Sequence, residues 1–96
     1  MAANPDFDNL LQEALDLPEE KQIYCNGFIV SMSPADTIIV LQQNNKIVAS
    51  LNVSHTIAKT LAIQLASIVD NFEKGTKTKI STLDEVIKAV QDANAK

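Results

Sequence analysis

Cys25 and His55 are the two side chains here with the chemistry of a covalent nucleophile and its base, and each is the only one of its kind in the chain. A thiol becomes a useful nucleophile when a base or a cation lowers its pKa. Cys25 and His55 would form such a dyad only if the fold brought them together. Cys25 lies within an apolar run, where a cysteine more often packs as a small buried group. His55 falls in the first turn of a predicted helix, where a positive charge is mildly disfavoured. The residue itself reads as a surface histidine rather than a ligand or base.

A lone His and a lone Cys cannot build a multi-His or multi-thiol metal site. Two glycines, Gly27 and Gly75, cannot build a phosphate-cradling loop. The expectation is a non-enzyme without cofactor or metal. Asp36 follows a Ser-Pro turn. There it would accept backbone N–H bonds, or alternatively offer a carboxylate at a binding rim. Tyr24, Asn26 and Phe28 share a parity in a predicted strand. They form either a contact patch, which Tyr and Phe serve well, or part of the core.

Charge narrows the partners. The 96-residue chain has a net charge of −4, and every basic residue is Lys. Nucleic-acid affinity rests on phosphate neutralisation, and base readout favours the Arg fork. Nucleic acid is therefore not expected as a partner. Six acids fall within residues 1–22 against Lys21, which predicts a solvated acidic face or a contact with basic residues of a neighbour. One cysteine gives no disulfide framework, and the acidic N-terminus lacks the basic region of an export signal. No apolar run reaches the length of a membrane span. A cytoplasmic protein with no membrane association is expected.

The elements that must position these residues follow from pattern. Residues 4–16 read as an amphipathic helix, with Asn4 as cap, Pro5 at the first position and Phe7, Leu10, Leu11 and Ala14 as the stripe. Its acidic far end opposes the helix dipole, so it needs a receiving surface. Residues 22–32 read as a strand with a bulge at Asn26-Gly27. Residues 37–43 and 46–53 read as two more strands joined by the Asn44-Asn45 turn. Residues 55–73 read as a long helix capped by Ser54 and closed by Gly75. Thr82-Leu83-Asp84-Glu85 is a capping box opening a last helix over 83–94. The fold class is α+β: a single domain with a three-stranded antiparallel meander, a long helix packed on it, and accessory helices at both ends.

The segment Ile38-Ile39-Val40-Leu41 is apolar at four successive positions. Strand side chains alternate faces, so both faces of this strand are apolar. One helical layer covers one face, which leaves the other for a second copy or another protein. The predicted contact residues are Ile39 and Leu41 with Tyr24, Asn26, Phe28 and Asp36, and Phe7, Leu10 and Leu11 on the N-terminal helix.

Residues 22–75 also resemble a known bacterial family. The features that carry the resemblance are Tyr24 and Asn26, the SPADTIIVL segment, the VSHTIAKTL helix start, and Asn71-Phe72-Glu73-Lys74 at the helix end. In these the chain resembles the domain of unknown function 3467 family. It departs at Thr37 and at Leu41-Gln42, where the family is expected to have an aromatic, and in the two flanking helices. The resemblance brings no activity and no catalytic residue. The function expected is a small homo-oligomeric protein-binding or adaptor module, with the N-terminal helix as a further docking element. The alternatives are a holdase-like chaperone and a protein that sequesters a small ligand at a subunit interface.

Overall fold

A computed structural model describes residues 5–95, so the expected Asn4 cap lies outside the described residues. The elements are α1 (Pro5–Leu15), a 3-10 turn (Glu19–Lys21), β1 (Gly27–Met32), β2 (Thr37–Gln43), β3 (Lys46–Val53), α2 (His55–Thr76) and α3 (Leu83–Asn94). The described residues form two compact units that divide between Ala58 and Lys59, inside α2. The class is α+β.

In the first unit the strands form an antiparallel sheet in the order β1-β2-β3. Asn44 and Asn45 have φ of 53° and 70°, as a two-residue hairpin turn matching strand twist requires. Asn26 fastens that turn from across the sheet. Its amide donates to Asn44 Oδ1 at 2.9 Å and accepts from the Asn44 backbone N–H at 2.9 Å. The β1–β2 turn is held by Ser33. Its hydroxyl accepts from the Ala35 and Asp36 backbone N–H groups and donates to Asp36 Oδ1 at 2.9 Å. The last carbonyls of α1 are satisfied by Gln22, whose amide donates to Ala14 O at 2.7 Å. A side chain from beyond the helix thus does what a C-terminal cap would do.

Several expectations are corrected. β1 begins at Gly27, so residues 22–26 are not strand. Gly27 has no positive φ, and a Cβ there would meet Gln42 only at ordinary contact distance; nothing at this position calls for a bulge. The irregularity lies in the β2–β3 ladder between Leu41 and Gln42, where Val48 is left without a direct partner. Gly75 does not close α2. The helix runs through it to Thr76, and Lys77 takes the left-handed conformation at φ 56°. The Thr78 backbone N–H reaches back to Glu73 O at 3.1 Å, the six-to-one bond of a Schellman ending.

In the second unit, α3 opens as expected. Thr82 Oγ1 accepts from the Glu85 N–H at 3.2 Å, and Glu85 Oε1 accepts from the Thr82 N–H at 2.8 Å. That backbone bond, the Thr82 side chain and the nearby Lys79 ammonium hold the Glu85 carboxyl below its usual range.

Among the described residues no apolar side chain is fully buried; Thr37, at 7% exposure, is the one buried side chain. Among the described residues, neither unit has an apolar core of its own. For a chain that is 46% hydrophobic, this is the dominant energetic fact, because large aliphatic side chains each contribute about 1.5–3 kcal/mol only when covered.

Candidate functional site

The ladder register sorts the sheet into two unlike faces. On one face β1 places Phe28, Val30 and Met32. They stand opposite Leu41, Ile39 and Thr37 of β2, which in turn face Ala49, Leu51 and Val53 of β3. Eight of these nine are apolar. The opposite face carries Gly27, Ile29 and Ser31, then Ile38, Val40 and Gln42, then Ile47, Ser50 and Asn52, so apolar side chains are fewer than half of it. Both faces of β2 are apolar, as its sequence predicts. The neighbouring strands make only one of them an apolar face three strands wide.

Thr37 is the polar member of that face, and it is closed off. Its Oγ1 lies 2.9 Å from His55 Nδ1. His55 is half-buried at the start of α2 rather than a free surface residue. The helix start is fixed there by Ser54, whose hydroxyl accepts from the Ile57 N–H at 3.1 Å. The histidine's role visible here is to satisfy a buried hydroxyl, since an unpaired one would cost about 1–3 kcal/mol.

The exposed ends of the face lie along β1. Phe28 is 64% exposed, Val30 58% and Met32 70%. With Leu51 they leave on the order of 500 Å² of apolar surface, taking side-chain areas of the 150–250 Å² class. That approaches the largest apolar patch of an ordinary monomer, about 300–600 Å². A depression of about 180 Å³ lies at the end of the strand pair, lined by Val30, Ser31, Met32 and Thr37. It is smaller than the ~300–1,000 Å³ sites that enclose drug-sized ligands.

The remaining expected residues fall in different places. Ile39 and Leu41 lie on the apolar face with Phe28. Tyr24 and Asn26 precede β1 and do not share a strand face with Phe28. Tyr24 is exposed, and Asn26 is committed to the Asn44 turn. Asp36 belongs to the Ser33 turn. Phe7, Leu10 and Leu11 are exposed on α1. Cys25 is exposed rather than packed in an apolar interior. Among the described residues no three His, Cys, Asp or Glu side chains come together in a metal-binding group. No helix among them is long and apolar enough to cross a membrane.

Sequence reasoning missed the Thr37–His55 bond and the exposed β1 edge. The bond joins residues 18 positions apart, which no local pattern reports. The edge was legible as far as strand order was, because a meander of consecutive strands puts its first strand outside. No protein-family model, curated protein or solved structure matches this chain.

Proposed function

We infer that this protein is a small, non-catalytic, homo-oligomeric binding or adaptor module of the cytoplasm, and that its apolar sheet face is the surface through which copies associate. The observation that carries the reading is the three-strand apolar face, with its one polar side chain already bonded to His55. An aliphatic face without unsatisfied polar groups suits another apolar surface and offers nothing to a polar substrate. Kinship with the domain of unknown function 3467 family is part of the proposal. It is supported by the Tyr24, Asn26, SPADTIIVL and VSHTIAKTL features. The α1 stripe of Phe7, Leu10 and Leu11 is a second docking element in this reading.

Light scattering on the full chain at micromolar concentration is the test. A particle mass above one chain, with little binding of an apolar dye, supports the reading. A monomer overturns it. The size of the exposed face also favours a holdase-like second reading. That one requires suppression of aggregation of a heat-unfolded client at stoichiometric ratios, together with strong dye binding.

A further inference from the structure

We propose that β1 pairs with β1 of a second copy, antiparallel and centred on Val30, so that two three-stranded sheets become one of six strands. The proposal rests on the homo-oligomer reading and adds to its face contact a second one, the β1 edge, with a stated symmetry.

β1 is an outer strand, so one side of its backbone has no partner in the β1-β2-β3 ladder. Natural sheets guard such an edge with charge, proline, a bulge or short length. β1 has none of the first three: GFIVSM carries no charge and no proline, and its register with β2 is unbroken over six pairs. The other outer strand is guarded. β3 starts with Lys46 and contains the register shift opposite Leu41 and Gln42.

Charge selects the occupant. Two copies of a chain carrying −4 repel wherever their acidic segments meet. Residues 22–35, which contain all of β1, have no charged side chain, so a copy can approach there without that repulsion.

The strand is also self-complementary. A two-fold axis normal to the sheet keeps each face on its own side, so paired residues must share parity. Centring on Val30 sets Phe28 against the other copy's Met32 and Ile29 against its Ser31. The first pairing is the sulfur–aromatic contact that thioethers favour.

Area points the same way. One face offers on the order of 500 Å², below the ~800 Å² each partner contributes to a stable interface. Joining two sheets along β1 makes one face of on the order of 1,000 Å², large enough to support further association.

The test is disulfide cross-linking of the full chain in a Cys25→Ser background, with Val30→Cys compared against Ile47→Cys. Ile47 is a fair control because it is 69% exposed on the guarded edge strand. Directly opposed strand residues have Cα atoms about 4.5–5.5 Å apart, within disulfide reach, whereas stacked sheets are ~10 Å apart and beyond it. The expected result is a covalent dimer for Val30→Cys and none for Ile47→Cys, within particles holding an even number of chains. A mixture of Phe28→Cys and Met32→Cys chains should also cross-link, and this gives the same answer if Val30→Cys misfolds. Equal cross-linking at Val30 and Ile47 overturns the proposal. Oligomers that persist without cross-linking at Val30 or between Phe28 and Met32 overturn the edge pairing alone. A monomeric parent chain overturns both this pairing and the oligomer reading.

Discussion

Phe28→Ala separates a covered face from an uncovered one by a wide margin. Phe28 is 64% exposed within its own chain, so in a monomer its truncation should change stability by no more than about 0.5 kcal/mol, as for other surface substitutions. In an oligomer that covers the face, the outcome is different. A phenylalanine offers about 150–250 Å², and at this exposure on the order of 100 Å² of the part lost to alanine is available for burial. At about 25 cal/mol per Å² this contributes roughly 2.5 kcal/mol per chain, or about 5 kcal/mol for the two equivalent sites of a symmetric pair. Each 1.4 kcal/mol is tenfold, so the dissociation constant should weaken by on the order of a thousandfold or more. Sedimentation velocity across a concentration series measures this, with far-UV circular dichroism showing that the variant is folded. A folded variant whose association is within tenfold of the parent would place Phe28 outside the interface and refute the assignment.

Dilution should lower the melting temperature, because neither unit has a core of its own. A hundredfold dilution changes a dimer's free energy by about 2.7 kcal/mol. Against an unfolding entropy of about 2.1 cal/mol/K per residue over two 96-residue chains, that is a shift of roughly 7 °C in a calorimetric scan. Thr82→Ala removes the hydroxyl that accepts from Glu85 N–H and should cost about 1 kcal/mol, read as loss of α3 protection in amide exchange. The Glu85 carboxyl is held below its usual value of 4.5, chiefly by the Thr82 backbone bond. Its contribution is therefore present above that value and lost as pH falls through the depressed one. Acid titration followed by α3 amide signals should show fraying only below the ordinary carboxylate range, and Glu85→Gln should remove that pH dependence. Cys25→Ser should leave the melting temperature within experimental scatter, since the thiol is exposed.

What the sequence disclosed was whatever is encoded within a few residues. Asn44-Asn45 specifies its turn because two positive-φ positions admit few residue types. Thr82 and Glu85 specify a helix start because both halves of the box lie within one turn. β2, β3 and α3 accordingly appear at the expected positions. The readings that failed needed a partner from elsewhere in the chain. Asn26 looked like the middle of a strand, but its side chain is taken by a turn 18 residues away. Gly75 looked like a stop, but Lys77 supplied the left-handed residue. The four-residue apolar run makes both faces of β2 apolar, as alternation requires. Ser31, Ser50 and Asn52 make them unequal, and that is decided only by the register of the neighbouring strands.

His55 ties these levels together. As a sequence feature it invites a search for a catalytic partner, and its neighbour turns out to be Thr37 at 2.9 Å. Thr37 is the one place where the apolar face would carry an unsatisfied hydroxyl. Left unpaired, that group would penalise any apolar surface laid over it. Paired with imidazole, it lets the face run apolar to its edge, from Phe28 across Ile39 to Leu51. Replacing Thr37 with valine would achieve the same dryness, but it would strand the imidazole that now accepts or donates there, because a histidine ring nitrogen also needs a partner when half-buried. The pair therefore acts as a unit: it makes the face uniform and anchors the start of α2 beside it. Both are contributions to a binding surface, and neither requires the ring to move a proton.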